Sequence, residues 1–311
     1  MTTGASSTKV QYDLRAAKQV ERRMLIDAFQ ILAVGGFPIR DYEYCGMGAI
    51  YFVDFAMLHR HLGMEHLFSA EEDKGSYKRA AFNCPYSSVK VENVTIGDLV
   101  KRRPTGKDRI VWLDFDQVMG AAHLEDIRQT TSLLSPGSIL LVTLDAEWPE
   151  SAESVVGVKE YYQSVADTFA ASLPVDWYHR SEVHRACASI ILQTVESGLN
   201  GSGLHFERLF YFTYADGHLM VSVGGMICDD DCRKRLRLTG IHRSPYVRTD
   251  WQAAPCHIEV PKLTRKERMY LDGHMPAGES FRPEPFDLPE QDLRHYKEIY
   301  RFMPSYGELY L

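Results

Sequence analysis

The sequence has no run of 18 or more apolar residues, the least that would suggest a membrane-spanning helix. Its opening, MTTGASSTKV, lacks the basic-then-apolar layout of a secretory signal. Together these predict a cytoplasmic protein. Cysteine is sparse: Cys45, Cys84, Cys187, Cys228, Cys232 and Cys256 are scattered over 311 residues, which is not the density of a disulfide-stapled scaffold, so free thiols are expected. Positive charge is in deficit as well. A formal net charge of −7 argues against strong non-specific attraction to nucleic acid, which depends on neutralising phosphates with Lys and Arg. Internal repeats, low-complexity tracts and long linkers are also missing. What remains is a chain with 45% hydrophobic residues, long enough to bury a sizeable core as one large domain with appendages.

The charge deficit has one local exception. Arg233, Lys234, Arg235, Arg237, Arg243 and Arg248 fall within sixteen residues without an acid. This run is a candidate phosphate-binding patch, with Lys101-Arg102-Arg103 as a second. The plainer reading is a solvated face balanced by Asp229-Asp230-Asp231, because charge runs usually face water.

Hydrophobic periodicity organises the chain. Residues 1–10 are small and polar and read as a disordered lead-in. Over 11–36, apolar residues at helical spacing up to Leu32 predict an N-terminal helix stopped by Gly35-Gly36, with Arg15, Lys18, Glu21, Arg22 and Arg23 on its other, exposed face. From residue 37 to 227 short apolar strands alternate with helices, the pattern of βαβ units in a parallel sheet covered on both sides. A helical segment spans 150–200. Two strand-like runs then flank Ala215-Asp216-Gly217, and Asp-Gly between β-rich runs predicts a hairpin, so the sheet is expected to finish with an antiparallel pair. Residues 228–311 form an α+β extension with a short strand and two helices. Thr264 and Glu267 fit a capping box at the start of one of them.

Within this frame, YCGMG places Gly46 and Gly48 after a strand and before a helix. The acids Glu71, Glu72 and Asp73 end the next strand about 25 residues later, where a carboxylate can accept hydrogen bonds from both hydroxyls of a ribose. No third glycine follows: Tyr51 stands where helix and strand would need one to approach closely, and no Gly-Lys-Ser/Thr phosphate loop is present. These lacks disfavour a pyrophosphate ligand, and with it a nicotinamide oxidoreductase. A ligand with ribose and no phosphate fits better.

The segments DYEYCGMGAIYFVDF, LFSAEED, FNCPYSSVKVENVTIGD, IVWLDFD, LLSPGSILLVT and FYFTYADGHLMVSVGG, taken in order, resemble the class I S-adenosylmethionine-dependent methyltransferases. The opening YDLRAAKQVERRML, with WLDFD and SPGSILLVT, also looks like a group labelled putative O-methyltransferases. The resemblance covers residues 12–227. It implies a Rossmann-like methyltransferase fold that binds S-adenosyl-L-methionine. Gly46, Met47 and Gly48 would form the cofactor turn, Glu71 would hold the ribose, and Asp98 would lie near adenine. Asp114 and Asp116, beyond the fourth strand, would stand at the mouth of the pocket and orient or deprotonate an acceptor. Asp114 is a candidate cofactor contact as well. One departure matters: the acid usually two residues before the first glycine is Tyr44 here, which leaves open how the methionine ammonium is held. Asp41 and Asp114 are candidates.

Each candidate has a plainer alternative. The glycines could make a turn without a ligand. The three acids could favour a helix N-terminus, Asp98 could cap the next helix, and Asp116 could cap the one after. Asn83-Cys84-Pro85-Tyr86 resembles an amine-methylating loop, yet it precedes the third strand rather than following the fourth, and reads as a turn. Cys228 and Cys232, with Cys256 and His257, match no common zinc spacing, so no metal is expected. The leading expectation is methyl transfer to a hydroxyl or amine, most simply of a small molecule. The alternatives are a nucleic-acid acceptor reached through Arg233, Lys234, Arg235 and Arg237, and a non-catalytic sensor or partner-binding protein.

Overall fold

A computed structural model describes residues 15–103, 106–215 and 217–304. The expected lead-in at 1–10 and Asp216 of the hairpin turn lie outside the described residues. The N-terminal helix α1 spans Ala16–Val34. Strands and helices then alternate: β1 (Glu43–Gly46), α2 (Val53–Leu62), β2 (His66–Ala70), α3 (Lys74–Asn83), β3 (Val89–Glu92), α4 (Ile96–Lys101), β4 (Arg109–Val118), α5 (Ala121–Ser132) and β5 (Ile139–Asp145). Helices α6 (Val155–Ser172) and α7 (Val183–Gly198) precede the strands β6 (His205–Ala215) and β7 (Leu219–Cys228). The extension supplies α8 (Asp230–Leu238), β8 (Cys256–Ile258), α9 (Arg265–Asp272) and α10 (Glu290–Ile299). Among the described residues no helix is long and apolar enough to cross a membrane.

The eight strands form one sheet in the order β3-β2-β1-β4-β5-β7-β6-β8. β7 runs antiparallel to both β5 and β6, and the remaining pairs are parallel. The predicted hairpin is therefore present, but it does not finish the sheet. β8 adds to the outer side of β6 in parallel, pairing Phe212 with Cys256 and Tyr214 with Ile258. Three residues are too few to show a period, which is why the sequence hides this strand's pairing.

Side chains alternate across the sheet as the pleat requires. Tyr44, Ile110, Trp112, Leu141 and Phe212 enter a core shared with α1, α2 and the extension. Cys45, Val111, Leu113, Leu140 and Val142 enter a second core under α4 to α7. The extension packs into the first core through Leu271, Leu293, Tyr296 and Phe302. Its helix α9 starts with a reciprocal capping box: the Thr264 amide donates to Glu267 Oε2 (2.7 Å), and the Glu267 amide donates to Thr264 Oγ1 (3.3 Å). Helix α1 lies between the sheet and the extension, and it buries residues around most of its circumference.

Candidate active site

The parallel strands β1 to β5 bring their carboxyl ends to one edge, where the turn after β1 is tightly packed. A Cβ on Gly46 would sit 2.5 Å from the Tyr44 hydroxyl, and one on Gly48 would sit 2.6 Å from the Phe52 ring. Crowding by aromatic rings, rather than positive φ, requires glycine at these two positions. Positive φ falls instead on Ala49 and Phe52, two residues that disfavour it, so the turn holds backbone strain between the strand and α2. The Gly48 amide donates to Ser69 Oγ on β2 (3.0 Å), tying the turn to the neighbouring strand. Met47 lies between the glycines, partly buried against the second core.

The acids after β2 separate by role. Asp73 caps α3, accepting from the Ser76 amide at 2.8 Å. Glu71 stays half-buried, and burial raises its carboxyl above the usual range against the opposing hydrogen bond from the Asp73 amide. Asn93, just after β3, donates to the carbonyls of Glu71 (2.7 Å) and Glu72 (2.9 Å) and fixes this corner. Asp98 is placed in the first turn of α4, about half exposed and 3.9 Å from Lys101 of the same helix. The cap of α4 is Thr95, whose hydroxyl accepts from the Asp98 amide at 3.1 Å.

Asp114 and Asp116 have different surroundings. Register with β5 shifts after Asp114, which breaks the alternation that would aim both side chains the same way. Asp114 receives the Lys18 ammonium at 2.9 Å. Asp116 is exposed and lies near His123 of α5 and Asp145 at the end of β5; burial chiefly raises the carboxyl of Asp145, with Asp116 acting in the same direction, and Asp116 opposes the downward shift that burial imposes on His123. Asp145 also accepts from the Glu147 amide (2.7 Å) and lies 3.4 Å from His218.

Lys18 corrects the sequence expectation most sharply. The polar face of α1 was expected in solvent, yet Lys18, Glu21 and Arg22 are 5%, 0% and 7% exposed. Lys18 reaches Asp114, Glu21 (2.9 Å) and the Tyr214 hydroxyl (3.0 Å), and its ammonium lies 4.4 Å from the centre of the Trp112 ring. Burial alone would lower its pKa, but the carboxylates of Asp114 and Glu21 outweigh this and hold the ammonium charged well above the ordinary lysine range. A signal existed in the sequence: a helix with apolar residues nearly all round is a buried helix, and its polar residues are then buried with it.

Asp54, in the first turn of α2, was also missed. It accepts from the Tyr44 hydroxyl, and burial raises its carboxyl while Arg22 opposes that shift. Arg22 Nε and Nη1 make no hydrogen bond among the described residues. Arg22, Tyr44, Asp54 and Trp112 line a cavity of about 10 Å³, close to the space one water needs. Asp54 lines this cavity, and Asp114 holds Lys18 over the Trp112 ring that also lines it, two carboxyl residues that sequence spacing alone cannot bring together.

The basic run lies elsewhere. β7 carries the chain back across the sheet, pairing Met226 with Ile139 at the amino end of β5, so α8 starts at the edge opposite Glu71 and Asp114. There Arg233 pairs with Glu207, Lys234 pairs with Asp231 at 3.0 Å, and Arg235 stacks on Phe37 at 4.0 Å. Arg237 is exposed. Lys101 sits beside Asp98, while Arg102 and Arg103 both pair with Glu92. All six cysteines are free thiols, and among the described residues no group of three or more His, Cys, Asp or Glu side chains could hold a metal ion.

A parallel sheet in the order 3-2-1-4-5-7-6, with β7 reversed and a glycine turn after β1, defines the class I methyltransferase fold. The chain belongs to the family described as "Putative O-methyltransferase", whose sequence model matches residues 10–311. The methyl donor of this class is S-adenosyl-L-methionine. No curated protein sequence matches the chain significantly. Solved structures with a similar fold include Trm1 from Pyrococcus horikoshii in complex with S-adenosyl-L-methionine, at 12% identity and a TM-score of 0.48. That match covers 74% of this chain and 60% of Trm1. TYW2 from P. horikoshii in complex with MeSAdo is 13% identical with a TM-score of 0.41, over 72% of this chain and 66% of that one. The fibrillarin pre-rRNA processing protein of Methanococcus jannaschii is 10% identical with a TM-score of 0.37, over 62% and 70%. The chain thus spans less than two thirds of the first two proteins it matches.

Proposed function

We propose that the protein transfers the methyl group of S-adenosyl-L-methionine to a hydroxyl or amine of a small acceptor at the carboxyl edge of the sheet. The observation that carries this is the ion pair between the buried Lys18 and the part-buried Asp114 in the second half of β4, toward the same edge as the glycine turn and Glu71. The residues present suit the donor's chemistry. Gly46 and Gly48 leave backbone without side chains beside the ligand, and Glu71 offers a carboxylate to ribose hydroxyls. Asp54, steadied by Tyr44, supplies the negative charge that Tyr44 itself cannot, and so takes the ammonium of the amino-acid end. Arg22, buried with two unpartnered N–H groups, is complementary to the carboxylate of that end.

The bound donor would supply an electrophilic methyl on a sulfonium. The protein's part is alignment and exclusion of water. Asp114 accepts a hydrogen bond from the acceptor's O–H or N–H and so aims its lone pair. Lys18 remains protonated, which bars it from acting as the base and fixes it as the group that positions Asp114. Asp116, exposed beyond Asp114, contacts the acceptor as it enters. A nucleic-acid acceptor is not favoured, because the Arg233 to Arg237 run stands at the opposite edge and three of its four cations have local partners.

Calorimetric titration with S-adenosyl-L-methionine, S-adenosylhomocysteine and 5′-methylthioadenosine, which lacks the amino-acid end, tests this assignment. Glu71→Ala is expected to weaken all three by about tenfold or more, about 1.4 kcal/mol. Arg22→Met and Asp54→Asn are expected to weaken the first two by a similar factor and leave 5′-methylthioadenosine unchanged. Absence of binding by the unaltered protein would overturn the proposal. Uniform weakening of all three ligands by Arg22→Met would overturn the assignment of Arg22.

A further inference from the structure

The dithiol formed by Cys228 and Cys232 has no part in the function proposed above. Cys228 is the last residue of β7, and Cys232 lies in the first turn of α8. Their sulfurs are 3.1 Å apart, and both residues are free thiols. The turn between them is rigid: Asp229 caps α8 by accepting from the Cys232 amide at 2.8 Å, and the Ile227 amide donates to the Ser138 carbonyl at 2.8 Å. Both sulfurs are therefore held in contact by a fixed backbone.

The two thiols differ in character. Cys232 is held below the ordinary thiol range, first by the hydrogen bond it shares with Cys228 and further by Arg235, against the opposing effect of burial. Its place at a helix N-terminus acts in the same direction. Cys228, sharing that hydrogen bond and buried, is pushed up. Access is also unequal. Both residues are buried, Cys228 fully and Cys232 with 5% of its surface exposed, but Cys232 lines a surface pocket of about 300 Å³ together with Pro136, Asp229, Asp231 and Arg235. Cys232 is thus the member of the pair that borders the surface, and Cys228 lies deeper, in the place of a resolving thiol.

We infer that Cys228 and Cys232 form a peroxide-oxidisable pair, a modification site in which Cys232 is attacked first and Cys228 closes the disulfide. In the first step the Cys232 thiolate attacks one oxygen of hydrogen peroxide. The O–O bond breaks, hydroxide leaves and takes up a proton as water, and Cys232 becomes a sulfenic acid. In the second step the Cys228 sulfur attacks Cys232, the S–O bond breaks, and the leaving hydroxide takes the Cys228 proton to give a second water. Two thiols are oxidised by two electrons and one peroxide is reduced to two waters. The pair stands at the edge of the sheet opposite the proposed cofactor site, so its oxidation and cofactor binding can be read separately.

The experiment exposes the intact folded chain to hydrogen peroxide, blocks remaining thiols by alkylation, and maps the products by mass spectrometry. The expected product has lost two hydrogens and carries a 228–232 disulfide, while Cys84 and Cys256, the two half-buried thiols, are still alkylated. In Cys228→Ala the reaction should stop at a Cys232 sulfenic acid that dimedone traps. In Cys232→Ala the oxidation of Cys228 should slow by about tenfold or more, the difference expected between an activated thiol and a buried one. The mapping on the unaltered chain stands even where a variant folds poorly. Prior oxidation of Cys84 or Cys256 with the 228–232 pair still reduced would overturn the inference. So would a dimedone adduct at Cys228 in place of Cys232.

Discussion

Helices α1 and α8 carry similar sequence textures and meet opposite fates. The segment KQVERR of α1 and the segment RKRLR of α8 are both dense in Lys and Arg. In α1, Lys18, Glu21 and Arg22 are buried and reach partners far away in sequence, Lys18 finding Asp114, 96 residues on. In α8 only Cys232 and Leu236 are buried, and the helix pairs Lys234 with Asp231 three residues away. The difference lies in what covers each helix. The extension closes over α1, with the Tyr246 hydroxyl donating to Asp27 at 2.7 Å, while α8 is packed on one face only. Density of charge is therefore a poor guide to a site. A charge that the fold removes from water must be matched by another, and that matching gathers residues of use to chemistry.

The comparison breaks most readily at Lys18. Lys18→Met leaves Asp114 and Glu21 without their buried counter-ion and is expected to destabilise the chain by about 3–5 kcal/mol. Urea unfolding against Lys234→Met, expected to be indistinguishable from the unaltered protein, measures the contrast directly. A comparable cost at the two positions would remove the distinction between the helices.

A buried histidine sharpens it through pH. His184 of α7 lies beside the Tyr211 hydroxyl at 2.6 Å, and burial lowers its pKa from 6.5 to about 4. Because the folded value is depressed, the neutral ring's contribution is complete above pH 6.5 and is lost as pH falls toward 4, where the unfolded chain takes up a proton that the folded chain refuses. The loss amounts to about 3 kcal/mol across that window. In His184→Gln, the same unfolding series should be flatter between those pH values; an unchanged slope would assign the acid sensitivity to other groups.

Tyr44→Phe tests a smaller element of the buried cluster. It removes the hydroxyl that donates to Asp54 and is expected to cost about 1–3 kcal/mol in stability. A thermal shift in line with that loss, accompanied by weaker S-adenosyl-L-methionine binding, is the expected result. The smallest effect is expected at the exposed helix. Replacing Arg233, Arg235 and Arg237 together by Ala should leave methyl transfer to a small acceptor unchanged at any salt concentration. A loss of activity at low salt, with a shallower dependence on added salt than the unaltered protein shows, would instead favour a phosphate-bearing acceptor.

The alternation of β1 to β5 with helices was legible because glycines and acids punctuate short apolar runs, and the β6–β7 hairpin because Asp-Gly marks its turn. Gly46, Gly48, Glu71 and Asp114 could be nominated because each lies in or just after a strand at a fixed place in the chain order. Lys18, Arg22 and Asp54 could not. Periodicity reports that a helix has a polar face, but not whether another segment closes over that face. The Tyr44–Asp54 hydrogen bond depends on the entry angle of α2, which is set by the strained residues Ala49 and Phe52. The different surroundings of Asp114 and Asp116 were hidden for a related reason: the ladder shifts register after Asp114, and no residue in LDFDQV announces it.

The three-residue strand β8 has a consequence for anyone shortening this protein. Without it, β6 would present unpaired backbone groups along Phe212 to Tyr214, beside the apolar side chains of Phe210 and Phe212. A fragment ending at residue 227 would then carry an open, sticky margin able to recruit the same margin of another molecule. The short strand acts as a selvedge: it adds little to the cloth and keeps the fabric from catching on its neighbour.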